Sequence, residues 1–193
     1  MLEELRDAKG VDGIRLAIKV MCRFADDSDV QSRSCYALAN ITAGSDASVD
    51  ERRQVAAEAE AIPLIIKAMR RYADDSSVQS GSCFALAHIT AGSDDSVDDR
   101  RQASAEAIPL IVEAMRRFEQ DREVQSGSCF ALRQITAGSD ASVDEREQAA
   151  AEAIPLIIKA MRRFADDIGV RVAGRRLYFS GFHWSCEWPL VKP

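Results

Sequence analysis

The chain has 193 residues, enough for one domain of ~100–200 residues, and its 47% hydrophobic content is that of a folded protein rather than a disordered one. Its net charge is −6, with four basic and one acidic side chain from Ile168 onward and 21 basic against 30 acidic before that point. Such an acidic body suits neither nucleic acid nor anionic membrane surfaces, where Lys and Arg must displace counterions, so neither is an expected partner.

Aromatic residues make up 6% of the chain, and five of the twelve lie after position 177. The core is therefore expected to be aliphatic and Ala-rich, which suits closely packed helices. The opening "MLEELRDAKG" has neither a basic start nor an apolar run and is not read as a secretion signal. No stretch approaches the ~18 consecutive apolar residues of a membrane span. Leu2 is incompatible with an N-myristoyl glycine, and the ending "LVKP" with a prenylated cysteine. The expectation is a soluble protein of the cytoplasm or nucleus, without a membrane anchor.

Ile14, Ile62, Ile108 and Ile154 mark equivalent positions, spaced 48, 46 and 46 residues apart. Residues 62–107 and 108–153 share 33 identities in 46, so each unit packs against near-copies of itself. The units run approximately 1–44, 45–92 and 93–138, with a partial unit over 139–167 and a divergent tail over 168–193.

Each unit reads as three helices. Ser48 with Glu51 forms a capping-box pattern, repeated by Ser96/Asp99 and Ser142/Glu145. A second helix starts at "AIP", with Pro63, Pro109 and Pro155 just inside its first turn and Arg15 in the first unit. Ile62, Ile65, Ile66 and Met69 have the spacing of one apolar helix face. A third helix follows an acidic cap at Asp27, Asp75, Asp121 and Asp167. Its inward stripe is narrow (Val78, Ser82, Ala85, Leu86, Ile89), and it is expected to stop at Gly44, Gly92 and Gly138. Three helices with a period in the forties predict an all-α solenoid.

The run "AIPLIIKAMRRYADDSSVQSGSCFALAHITAGS" resembles the armadillo repeat over residues ~13–167: an Ala-Ile-Pro start, a Val-Gln, then a small-apolar-aromatic-Ala-Leu segment. The pattern distinguishes it from HEAT repeats, which pair two helices. The resemblance implies a right-handed α-solenoid of three-helix repeats whose third helices line a concave groove. In peptide-binding members of that family, a Trp and an Asn four residues later line the groove. Here those positions hold Tyr36, Phe84 and Phe130, then Asn40, His88 and Gln134. The resemblance thus implies an aromatic platform plus polar groups for a peptide backbone, with the platform smaller than Trp.

Three polar or variable positions surround this pattern: Asn40/His88/Gln134, Ala39/Ala87/Arg133 and Arg33/Gly81/Gly127. All three are expected on one exposed face, which fits either binding or a relaxed solvent face. His88 on that face is expected to make binding respond near its ordinary pKa of ~6.5.

Cys35, Cys83 and Cys129 occupy an armadillo Leu position and read as small buried hydrophobes. Stacked helices lie ~8–10 Å apart and a disulfide needs Cα atoms within ~7 Å, so these cysteines are not expected to pair. "HWSC" at His183 and Cys186 has a ligand-like spacing but no further ligands nearby. The acidic loops lack the ligand order of a calcium loop. Asn40-Ile41-Thr42 matches a glycosylation acceptor but sits near a helix end. No phosphate loop and no nucleophile–base pair is present, so neither an enzyme nor a cofactor is expected.

The fourth unit matches through "AIPLIIKAMRRFADD" and departs at Ile168. The remainder either caps the stack with Tyr178, Phe179, Phe182, Trp184 and Trp188 or is a truncated or misread end. The function expected is a protein-interaction adaptor or scaffold binding an extended peptide across Tyr36, Asn40, Phe84, His88, Phe130 and Gln134, flanked by Arg33 and Arg133. The alternatives are a segment of a longer solenoid without a groove ligand, self-associating through its open ends, and a nuclear-import-type cargo binder.

Overall fold

The structure is a computed structural model describing residue 5 and residues 9–43, 48–91, 97–137 and 143–179. The described residues are helical, with no strand among them. In chain order the helices are α1 (Gly10–Arg23), α2 (Ser28–Thr42), α3 (Val49–Glu58), α4 (Ala61–Arg71), α5 (Ser76–Ile89), α6 (Val97–Arg117), α7 (Arg122–Ile135), α8 (Val143–Ala150), α9 (Ile154–Arg163) and α10 (Ile168–Phe179), with a 3-10 turn at Ala151–Ala153.

Third helices stack in series, α2 on α5, α5 on α7 and α7 on α10, while α1, α4, the second half of α6 and α9 form a parallel tier. The chain is an all-α helical solenoid. The second-helix tier follows simple amphipathic logic. Ile62, Ile65, Ile66 and Met69 of α4 are each at most 2% exposed, and Arg70 and Arg71 lie in its last turn, where cations favour the helix dipole.

The third-helix tier follows a different logic. On α5 the stripe Val78, Ser82, Ala85, Leu86 and Ile89 is buried, but so are Gln79, Ser80, Gly81, Cys83 and Ala87. The stripe is wider than its apolar residues because α5 has neighbours on three sides: α4, α2 and α7. Small residues sit where a partner helix approaches, so hydropathy alone understates the burial.

Side-chain caps open the third helices as expected. Asp27 accepts from Val30 N at 3.1 Å, Asp75 from Ser77 N and Val78 N, Asp121 from Glu123 N and Val124 N, and Asp167 from Val170 N at 2.9 Å. The capping box does not form at Ser48. Its hydroxyl accepts instead from Arg52 Nη1 at 2.6 Å, while Arg52 Nε donates to Ile41 O at 2.6 Å. Arg146, at the same register and wholly buried, donates to Ala137 O at 2.8 Å. These arginines meet backbone carbonyls that the end of a third helix leaves without intrahelical donors. Ser96, Ser142 and the glycines at 44, 92 and 138 lie outside the described residues.

Three helices per unit hold for the second unit only in part of the stack. In the third unit the first and second helices fuse into α6, 21 residues long with Pro109 inside it. In the fourth, a 3-10 turn joins α8 to α9. Between α3 and α4 the chain breaks at Glu60, whose φ of 57° is left-handed. The reason is length. Ser48 to Pro63 is two residues longer than Ser96 to Pro109 or Ser142 to Pro155, and the extra pair must leave the helical path. The left-handed residue costs roughly 1–2 kcal/mol.

One buried contact recurs in the three complete units. Gln31 Nε2 donates to Met21 O and Phe24 O, both at 2.9 Å; Gln79 to Met69 O and Tyr72 O, both at 2.9 Å; Gln125 to Met115 O at 2.9 Å and Phe118 O at 3.1 Å. These glutamines are 4%, 2% and 2% exposed. Each ties a third helix to the carbonyl end of the second. In the fourth unit the same register holds Arg171, which is exposed. A Gln79→Leu variant takes the side-chain donor from the buried Met69 O and one of two donors from Tyr72 O, which keeps Asp75 N–H at 3.0 Å, so stability should drop by about 1–3 kcal/mol in urea unfolding. Ser77→Ala, at an exposed position, should change it by less than ~0.5 kcal/mol.

Candidate peptide-binding face

Tyr36, Phe84 and Phe130 occupy the same register on α2, α5 and α7, and all three rings are half-buried. Tyr36 and Phe84 lean toward the following repeat. A Cβ on Gly81 would lie 3.1 Å from Tyr36 Cδ2 and 3.2 Å from Ser32 O, and one on Gly127 3.3 Å from Phe84 Cε2 and 3.3 Å from Ser80 O. The glycines are therefore notches that receive the preceding aromatic ring. Gly81 and Gly127 are buried, contrary to the expectation of an exposed variable position. Arg33, at the same register of the first unit, is exposed and paired with Asp29 at 2.9 Å.

Ala39 and Ala87 also depart from expectation. They are 4% and 0% exposed, covered by neighbouring helices, while Arg133 at the same register is half-buried. Of the polar series, Asn40 is exposed and His88 and Gln134 are half-buried. The structure brings together Tyr36 with Phe84, ring centroids 6.3 Å apart, and His88 with Phe130, edge-on at 5.0 Å.

Tyr36 extends the face across three repeats. Its hydroxyl lies 2.7 Å from Ser80 Oγ and donates to Glu123 Oε2 at 3.0 Å. Burial, with the nearby Glu123 carboxylate, pushes the phenol up to about 12, so it stays protonated and a donor. Ser80 and Glu123 were not legible as site residues, because nothing local links them to a tyrosine 44 and 87 residues away. Gly81 and Gly127 were legible in principle: a glycine inside a helix costs about 1 kcal/mol and marks a close approach.

His88 does not behave as a free surface imidazole. Burial first, then the Arg53 guanidinium of α3, lower its pKa from 6.5 to about 4. At neutral pH it is an uncharged donor and acceptor, so the expected response of binding near ~6.5 is withdrawn.

Behind the face, the cysteines interlock successive repeats. Cys35 Sγ lies 3.5 Å from Ser82 Oγ and Cys83 Sγ 3.6 Å from Ser128 Oγ. Cys35, Cys83 and Cys129 are free thiols at 0% exposure. Burial raises Cys35 to about 11 and Cys83 and Cys129 to about 12, which leaves no thiolate nucleophile at neutral pH. His183 and Cys186 lie outside the described residues.

The chain matches a family model, described as LRRK2 ARM repeat, over residues 3–176. No curated protein matches it. Two crystal structures of engineered proteins from the Northeast Structural Genomics Consortium are similar in fold. One superposes with a TM-score of 0.65 at 25% identity, covering 86% of this chain and 61% of its own. The other has a TM-score of 0.60 at 23% identity, covering 93% of this chain and 92% of its own. The chain thus spans about 61% of the length of the first.

The low pKa of His88 sets the sign of a pH effect on stability. Between about 6.5 and 4 the unfolded chain carries a proton on this imidazole that the folded chain does not. This contribution is fully present above 6.5 and is lost as pH falls toward 4. Melting temperature should decline through that window, and His88→Gln, the residue of the next repeat, should flatten the decline relative to wild type.

Proposed function

Because the chain belongs to the LRRK2 ARM repeat family, whose helical solenoid is a protein-interaction scaffold, we propose that its third-helix face binds an extended peptide segment of another protein. The observation that supports this most directly is the row Asn40, His88 and Gln134. Three stacked helices present an amide or a neutral imidazole at one register, Asn40 exposed and His88 and Gln134 half-buried. All three groups can donate and accept, as peptide N–H and C=O groups require.

The spacing is compatible with an extended chain. Packed helices lie ~8–10 Å apart, and a strand advances about 3.3 Å per residue. Each rung then meets every second or third residue of the ligand. The exposed edges of Tyr36, Phe84 and Phe130 supply apolar contact between rungs. Arg33 and Arg133 flank the row, and Glu123 adds a carboxylate beside Tyr36. The ligand proposed is a protein segment, held by backbone recognition and shallow side-chain contacts rather than by a deep pocket.

The test separates the polar row from the packing. Phe84 and Phe130 also hold the repeats together, so their truncation would confuse binding with stability. Asn40→Ala with Gln134→Ala leaves the ring contacts intact. Peptides selected on the wild-type chain from a random displayed library should bind the double variant at least ~10-fold more weakly, equivalent to about 1.4 kcal/mol, with an unchanged melting temperature. Their affinity should be flat between about pH 5.5 and 7.5, since His88 is neutral throughout. Peptides that bind both chains equally, or a library that yields none, would leave the solenoid as a structural segment with a solvated face.

A further inference from the structure

The third-helix face joins one aromatic ring to one carboxylate and supplies no cation for either. Tyr36 is half-buried; its hydroxyl donates to Glu123 Oε2 at 3.0 Å and lies 2.7 Å from Ser80 Oγ. Glu123, in the first turn of α7, is exposed. Among the described residues its carboxylate has the phenol as its side-chain partner and no Lys, Arg or His.

Comparable groups are matched within the chain. Asp29, at the register of Glu123 on α2, holds Arg33 at 2.9 Å. Arg122, next to Glu123 in sequence, turns instead to Asp166 at 3.0 Å and Asp167 at 3.7 Å. Phe24, Tyr72 and Phe164 each carry an arginine over the ring: Arg23 at 5.5 Å, Arg71 at 5.8 Å and Arg122 at 5.4 Å. Tyr36 carries none among the described residues, and its ring neighbour is Phe84. Burial is the main cause that raises the Tyr36 phenol, and the Glu123 and Asp121 charges add to it. The potential at this end of the ring is therefore negative.

We propose that Tyr36 and Glu123 form the subsite for one lysine or arginine side chain of the bound protein segment, its stem on the ring and its cation at the carboxylate. This rests on the third-helix face being the peptide-binding face. Tyr36 lies one turn, about 6 Å, from Asn40 on α2. A side chain leaving a ligand backbone held at Asn40 therefore crosses the ring before it meets Glu123. That path suits a long apolar stem with a charged head, and a short polar side chain ends on the ring. An aromatic face and a carboxylate both attract a cation, whereas an acidic ligand residue would meet Glu123 and Asp121. The phenol holds Oε2, so the carboxylate is already positioned and Oε1 is left for the ligand.

The probe is a displayed library of random peptides, selected in parallel on wild type and on Glu123→Lys. Wild type should enrich Lys or Arg at one position of its peptides, and Glu123→Lys should enrich Asp or Glu there instead. Replacing that Lys or Arg by norleucine in a wild-type-selected peptide should weaken binding about 5-fold. Glu123→Gln, which keeps an acceptor for Tyr36 at an exposed position, should cost the parent peptide the same factor. It should cost the norleucine peptide nothing further, because the two changes remove one interaction. The loss should shrink as salt is raised, with an unchanged melting temperature. Peptides that need Asn40 and Gln134 but carry no preferred basic residue, or that bind Glu123→Gln as tightly as wild type, would overturn the subsite and leave the peptide-binding face standing. Equal losses for the parent and norleucine peptides, with a lowered melting temperature, would reduce Glu123 to a packing role and also overturn it. A library that yields no binders would overturn both readings.

Discussion

A primary amide held between two carbonyl oxygens governs the geometry of the three complete units. Gln31, Gln79 and Gln125 each give both hydrogens of one nitrogen to the end of the preceding helix, to residues three apart in sequence. Buried amides and carbonyls must find partners or lose about 1–3 kcal/mol each. The bracket therefore sets the angle and height at which a third helix leaves the second. Asp27, Asp75 and Asp121 begin the helix just before it. With that angle repeated, third helices arrive in register, and contacts between repeats can be short and specific.

Two such contacts depend on the register. Tyr36 and Phe84 enter notches left by Gly81 and Gly127, and Cys35 and Cys83 meet Ser82 and Ser128. Both tolerate little displacement, because a single added Cβ would meet ring or backbone atoms at 3.1–3.3 Å. The third-helix rings therefore have two roles at once. One edge locks the stack, and the other remains open on the face proposed to hold a peptide. Position 88 follows the same logic: His88 packs edge-on against Phe130 and is half-buried, so it is only partly available, and burial with Arg53 keeps it neutral.

Charge is handled separately from packing. Ion pairs between repeats, such as Arg70–Glu106, Arg116–Glu152 and Arg122–Asp166, lie on exposed surface. Pairs of this kind contribute about 0–1 kcal/mol each, so they refine a stack that apolar burial and the amide brackets already hold. Arg52 and Arg146 are different, because their guanidinium groups meet backbone carbonyls at the ends of third helices. They do for the ends of α2 and α7 what the aspartates do for the starts of the third helices.

The sequence by itself determined the acidic caps of the third helices, the apolar faces of the second helices and the buried cysteines, since each is written within one or two helical turns. It also carried the armadillo resemblance, and with it the register of Tyr36, Phe84 and Phe130. Only the tertiary structure decided which small residues are exposed. Gly81, Gly127, Ala39 and Ala87 read as a variable surface, yet they are buried by helices tens of residues away. The same holds for His88, whose pKa is lowered by burial and then by Arg53 of another helix, and for the Tyr36–Ser80–Glu123 line across three repeats. The physical reason is that a local pattern records what a helix prefers along its own length. Burial, ring stacking and desolvation depend on the distance to atoms of another repeat, and that distance exists only after the helices have stacked.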